Sequence, residues 1–226
     1  MTRGTLYGIG VGPGDPELLT LKAAILLKNC GIIAVPQKKE KCFAYSIVLS
    51  ALPELKDKPV IEAVLPMTRD KDARESAQDA AADMLAEQLD NGRDVAFVTI
   101  GDPTVYSTYG YLHRRIVAKG YNAEIIPGIT SFCAAAASLG LSLCEEREEL
   151  HVIPGGANAE SALEYPGTKV FMKGEISSLI DAANKAGQSL VGAENCTTDR
   201  ERLYYSAEEI PADAGYYTLI IAKEKD

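Results

Sequence analysis

The stretch YGIGVGPGDPELLTL, Tyr7 to Leu21, decides how this chain is read. Strand-forming residues lead into it, glycine takes every second place from Gly8 to Gly14, and a helix-like pattern follows. A strand, a glycine-rich loop and a helix together form the usual cradle for a nucleotide phosphate, whose charge rests on free amides at the helix start. This loop departs from that chemistry. G-x-G-x-x-G begun at Gly8 requires glycine where Pro13 stands, and begun at Gly10 it requires glycine where Asp15 stands. An acid to hold the ribose should follow about 20 residues on, yet GIIAVPQKKE offers Gln37 and then lysines before Glu40. The sequence contains no G-K-[ST] either. These residues argue against NAD and ATP and favour a cationic or zwitterionic ligand with hydroxyls.

Further along, Gly14-Asp15-Pro16 recurs as Gly101-Asp102-Pro103, each time after an apolar strand and before a helical run. Proline suits the first helical position because its missing N–H would be unpaired there, and aspartate before it can cap the orphan amides. Both motifs are therefore expected to start helices. Both would also lie at the carboxyl ends of parallel strands, the edge where open α/β sheets bind ligands. On local pattern alone, Asp102 is as well explained by a helix cap as by a ligand contact, and the two roles can coexist.

The surrounding chain alternates short β-branched runs with helical stretches (TLYGIGV, ELLTLKAAILLKN, GIIAVP, FAYSIVLSAL, PVIEAVL), which predicts an α/β protein with a parallel sheet. The clearest helix spans Asp72 to Leu89, with Ala73, Ala77, Ala80, Ala81, Met84, Leu85 and Leu89 as its apolar stripe and Asn91-Gly92 as its stop. After IPGITSFCAAAASLG the rhythm changes to several strands with fewer, shorter helices. Two domains are expected: residues 1–127, carrying the glycine loop, and a more sheet-rich, mixed domain over 128–226.

Composition excludes several classes. A net charge of −9 and only 23 Lys and Arg argue against a nucleic-acid partner, whose phosphates demand clustered cations. No run of about 18 apolar residues is present and the N-terminal residues do not read as a signal peptide, so a cytoplasmic protein without membrane association is expected. The five cysteines, Cys30, Cys42, Cys133, Cys144 and Cys196, are odd in number and form no C-x-x-C, which favours reduced thiols and no metal site. With His113 and His151 as the only histidines and no G-x-S-x-G or H-E-x-x-H, hydrolytic and metal chemistry lose support.

Four blocks in this order, GVGPGDPELLTLKA, VTIGDPTVYSTYGYL, IPGITSFCAAAASLGL and HVIPGG, resemble the tetrapyrrole methylase family over roughly Leu6 to Cys196. Within that family, GDPTVYSTY and the chain length are most similar to members that methylate C20 of precorrin-2 or cobalt-factor II in cobalamin synthesis. The resemblance implies a two-domain α/β methyltransferase, usually a homodimer, that takes S-adenosylmethionine in a cleft between its domains. It implies a cofactor site at Pro13, Ile100, Gly101, Asp102, Val105, Thr130, Ser131 and Met172, with Cys196 standing where many relatives have glycine in an ENGT stretch. Local alternatives remain beside these roles. Thr130 and Ser131 could simply open a helix, and Met172 could fill a core. Gly12, Asp15, Tyr106, Ser107 and Tyr109 are candidates for substrate contact, although the i, i+3 spacing of Tyr106 and Tyr109 fits helix packing equally well.

The implied chemistry suits the residue inventory, since an activated methyl group and an electron-rich meso carbon mainly need alignment and not a catalytic triad. The substrate's carboxylates would need cations, for which Arg69, Arg74, Arg114 and Arg115 are candidates beside the reading of a solvated helix surface. CEEREEL, Cys144 to Leu150, reads as an exposed acidic turn. Alternatives are a methylase for another tetrapyrrole position, for ribosomal RNA or for the diphthamide precursor, and a nucleotide-binding module without catalysis.

Overall fold

The opening strand, β1 (Thr5–Gly10), lies between β4 (Val95–Thr99) and β5 (Asn122–Ile126) and runs parallel to both, with Tyr7 opposite Ala96 on one side and Glu124 on the other. β2 (Ile32–Val35) and β3 (Val60–Glu62) complete a five-stranded parallel sheet in the order β3-β2-β4-β1-β5. The computed structural model describes residues 2–172 and 175–224. They divide into two compact units, Met1–Thr130 and Ser131–Asp226.

In the first unit the period of two along each strand sends neighbours to opposite faces. Ile33, Val35, Ala96 and Val98 face one way, into a core shared with Ala23 and Leu27 of α1 (Leu21–Asn29) and Ile47 and Val48 of α2 (Phe43–Ala51). Ile32, Ala34, Val95 and Phe97 face the other way, against α3 (Lys71–Asp90) and α4 (Tyr109–Ala118). Helices on both faces bury β2 completely and β4 as far as Val98, which is why these two strands are almost continuously apolar, whereas the edge strand β5 is largely exposed.

Three expectations need correction. The buried stripe of α3 is Gln78, Ala81, Ala82, Leu85, Ala86 and Leu89, whereas Ala73, Ala80 and Met84 are exposed. The helix packs through Leu85 and Leu89, and this fixes a face rotated from the one that counting alanines suggests. The first Gly-Asp-Pro opens only a short 3-10 turn, Pro16–Leu18, and α1 starts at Leu21 behind its own cap, Thr20, which accepts from the Ala23 amide at 3.2 Å. The second Gly-Asp-Pro opens a turn and not a helix, because α4 begins only at Tyr109.

The second unit holds α5 (Ser131–Leu139), β6 (Leu150–Ile153), α6 (Ala159–Leu163), β7 (Thr168–Phe171), α7 (Ile176–Ala186), β8 (Gln188–Glu194), β9 (Arg202–Tyr204) and β10 (Thr218–Glu224). Its sheet runs β6-β7-β10-β8-β9; β6 and β7 are parallel and the other neighbours antiparallel, a mixed sheet. α7 stops at Gly187, whose φ of 68° is the left-handed conformation that glycine adopts at little steric cost. The units divide after Thr130, and there is a physical reason why Gly128 stays with the first: its amide donates to Asp102 at 2.9 Å. In CEEREEL most residues are exposed, but Glu148 accepts from the Thr168 hydroxyl at 2.6 Å and anchors the turn to β7.

Candidate functional site

The two glycine loops meet. Gly12 and Gly101 exchange both backbone hydrogen bonds, Gly12 N–H to Gly101 at 3.3 Å and Gly101 N–H to Gly12 at 2.8 Å, with φ of 79° and 68°. A residue with a Cβ at either place would strain that bridge. Gly10 is needed for a different reason: a Cβ there would stand 2.5 Å from the Gly101 carbonyl oxygen and 2.7 Å from the Gly128 amide nitrogen. The loops after β1, β4 and β5 are thus packed backbone to backbone at the carboxyl edge of the sheet.

Asp102 ties this arrangement together. It is 8 % exposed; one carboxylate oxygen accepts from the amide and hydroxyl of Thr104, and the other from Gly128 N–H at 2.9 Å. Burial pushes its carboxyl upward, but the hydrogen bonds from Thr104 and Gly128 outweigh that and hold it below 3.8. The carboxylate therefore fixes the third loop relative to the second, which is more than the capping role that local pattern suggests. Asp15 caps the 3-10 turn by accepting from the Glu17 amide at 2.8 Å. Pro13 is buried, and Ile100 and Val105 are half-buried.

The VYSTY segment splits. Tyr106 is 60 % exposed with φ of 47°, outside any helix, so helix packing with Tyr109 does not explain it. Ser107 is spent locally: its hydroxyl pairs with Thr99 at 3.1 Å and accepts from the Tyr109 amide at 3.2 Å. As a substrate contact Tyr109 is corrected. It is fully buried beneath the α-carbon of Gly8, its hydroxyl donates to the Glu124 carbonyl at 2.8 Å, and its ring lies 5.7 Å from that of Phe97. Gly8 is glycine because this ring occupies the space a Cβ would take.

Thr130 ends the first unit with its hydroxyl buried and lacking a hydrogen-bond partner among the described residues. An orphaned buried hydroxyl is costly unless something else satisfies it. In the second unit Ser131 is the first residue of α5, and Met172 and Cys196 follow β7 and β8. Both strands run antiparallel to β10, so Met172 and Cys196 leave the sheet at one edge. Asn195 and Thr197, on either side of Cys196, have φ of 49° and 63°. Cys196 itself is not among the positive-φ residues, so the position does not demand glycine. Burial pushes its thiol up to about 12, and neighbouring Glu201 adds to the shift. Glu201 also holds the strained loop, accepting from the Thr197 amide at 2.6 Å and from the Ser138 hydroxyl at 3.0 Å.

Sequence reasoning missed Thr104, Gly128, Glu201 and Thr218. Thr218 opens β10 at the edge where Met172 and Cys196 leave the sheet, and its hydroxyl is buried without a partner among the described residues. Threonine at the start of a strand carries no signal of that kind, and Glu201 is separated in sequence from the Ser138 it binds.

The glycine-loop candidates include Asp15 and Asp102 and no lysine or arginine, a set that fits a cation or a hydroxyl-rich ligand and not a phosphate. Among the described residues there is no cluster of His, Cys, Asp or Glu able to hold a metal, and no helix long and apolar enough to cross a membrane. Fold and loops thus define a two-unit α/β protein whose parallel sheet carries bridged glycine loops at its carboxyl edge, the edge where open α/β sheets bind ligands. The sequence profile of the Tetrapyrrole (Corrin/Porphyrin) Methylases matches residues 5–211, and the chain belongs to this family. It is 32% identical to a precorrin-2 C(20)-methyltransferase of Sinorhizobium sp over 96% of this chain and 94% of that protein. It is 35% identical to the cobalt-precorrin-2 C(20)-methyltransferase of Salmonella typhimurium over 76% of this chain and 73% of that protein. The uroporphyrin-III C-methyl transferase of Thermus thermophilus, solved as a complex with S-adenyl homocysteine, shares the fold with a TM-score of 0.70 at 21% identity, over 98% of each chain.

Proposed function

We propose that this protein transfers a methyl group from S-adenosylmethionine to C20 of precorrin-2 or its cobalt complex in cobalamin synthesis. The observation that carries the reading is the bridged pair of glycine loops locked by Asp102, a rigid wall without cations, in a chain whose near full-length relative carries the same C20 activity in its name. Pro13, Ile100, Gly101, Asp102, Val105 and Thr130 are the first unit's candidates for holding the cofactor, and Ser131, Met172 and Cys196 are those of the second. The orphaned Thr130 hydroxyl fits such a ligand, because a polar cofactor group would satisfy it. When bound, the cofactor supplies an activated methyl on a positively charged sulfur.

The chain's part is alignment and exclusion of water. The Gly12–Gly101 bridge keeps the loop backbone from relaxing, and rigidity of this kind preserves reacting geometry. Asp102 acts as a positioning residue, because both of its oxygens are committed to Thr104 and Gly128. Asp15 and exposed Tyr106 remain the candidate substrate contacts, with Gly12 allowing close approach to the backbone. The reading includes a homodimer in the cytoplasm, which sedimentation velocity and cell fractionation check.

Calorimetry with S-adenosylmethionine, NAD and ATP should give binding of the first alone; no binding of the first would sink the methylase reading. Incubation with isotopically labelled cofactor and either precorrin-2 or cobalt-precorrin-2, followed by NMR of the product, should place the label on C20. Label on another carbon would move the protein to a different step.

A further inference from the structure

The segments that follow β3 and β4 leave the carboxyl edge of the first sheet on the side of α3, and there they border an open cavity of about 270 Å³. Leu65, Pro66 and Tyr111 give it an apolar lining, and Arg69, Arg74 and Gln78 bring polar groups to it. Gln78, on the buried face of α3, is only 5 % exposed and borders the cavity. An amide at the border of a cavity can donate to a polar group that enters from outside.

The two arginines support the same conclusion. Of the four that the sequence offers, Arg115 is held by Asp79 at 2.6 Å and Arg114 lies over the Tyr111 ring at 5.3 Å. Arg69 and Arg74 form no ion pair among the described residues, and Arg74 makes only a long hydrogen bond, 3.4 Å, to the Thr68 carbonyl. The adjacent acids are already used: Asp70 caps α3 by accepting from the Asp72 and Ala73 amides, and Glu75 pairs with Lys71 at 3.8 Å. In a chain with 32 acidic residues against 23 basic ones, two guanidiniums that border one cavity without a carboxylate partner among the described residues suit an external anion.

We propose that this cavity is the subsite that receives one carboxylate-bearing edge of the tetrapyrrole. Arg69 and Arg74 bind the carboxylate with their planar forks, the Gln78 amide donates to it, and Leu65, Pro66 and Tyr111 cover the apolar ring carbons next to it. At about 270 Å³ the cavity is smaller than whole-ligand sites, so it admits an edge of the macrocycle and not the ring itself. The inference rests on the tetrapyrrole reading above.

The test compares binding of cobalt-precorrin-2 with that of its fully methyl-esterified form, which lacks the charges, while calorimetry with S-adenosylmethionine runs in parallel. Arg69→Gln and Arg74→Gln should each weaken binding of the free acid by about tenfold or more. Both should leave the ester and the cofactor unaffected. Arg74→Lys should recover part of the loss, because it keeps the charge and loses the fork. Arg93→Gln, which removes an exposed charge just before β4 at the opposite edge of the sheet, should change nothing. Undiminished binding of the free acid by the Arg69→Gln/Arg74→Gln double variant overturns the subsite alone, as does equal weakening of acid and ester. A wild-type chain that binds the cofactor and neither tetrapyrrole overturns both the subsite and the substrate reading.

Discussion

At the scale of single residues, Asp102 shows how one carboxylate can serve as cap, tie and positioning group. Hydrogen bonds from Thr104 and Gly128 lower its folded pKa beneath 3.8, so its contribution to stability is fully present above that value and is lost as pH falls through the lower folded value. Thermal unfolding of wild type and Asp102→Asn, followed from neutral pH to below 3.8, should show a wild-type advantage that shrinks in the acid window; parallel curves would remove the tie from the argument. The same substitution frees the Gly128 loop and should weaken S-adenosylmethionine binding by roughly tenfold, about the worth of one hydrogen bond to a charged group. Tyr109 gives the opposite lesson. In the sequence it reads equally well as a substrate contact or as helix packing, whereas the space under Gly8 makes it core. Gly8→Ala should therefore cost about 1–3 kcal/mol in denaturant unfolding through overpacking, and Tyr109→Leu in the same chain should return part of it.

At the scale of elements, the bridge between the loops after β1 and β4 is the feature that the glycine pattern encodes. Gly10→Ala drives a methyl group into the Gly101 carbonyl and the Gly128 amide, both backbone atoms that cannot rotate aside. The substitution should disturb all three loops together, visible as lost protection of the Gly12 and Gly101 amides in hydrogen exchange, while β2 and β3 keep theirs. Protection that remains at both amides would show that the bridge tolerates the methyl. α3 shows what periodicity alone leaves open. Its length and its stop were legible, because alanine, leucine and the Asn91-Gly92 terminus are local signals. Its buried face was not, because alanine is small enough to sit on either side and only the packing of Leu85 and Leu89 against the sheet settles the rotation.

At the scale of the whole molecule, the distribution of cysteines follows from the two cores. Cys30, Cys42 and Cys196 are buried and their thiols are raised in pKa by burial, the first and last to about 12, whereas Cys133 and Cys144 are exposed. A neutral alkylating reagent near neutral pH should label Cys133 and Cys144 rapidly and the other three only after unfolding, as read by intact mass. Early labelling of Cys196 would contradict the buried environment beside Glu201. The α/β class, the parallel first sheet, the failure of both dinucleotide registers and the family were all determined by the sequence, since strand periodicity, glycine spacing and proline placement act over a few neighbouring residues. Tertiary structure alone decided that Gly12 pairs with Gly101, that Asp102 holds Gly128, that Tyr109 is buried, and that Arg69, Arg74 and Gln78 border one cavity. Each of these joins residues from separate strands or turns, and their meeting depends on how the sheet orders its strands, which no local pattern records.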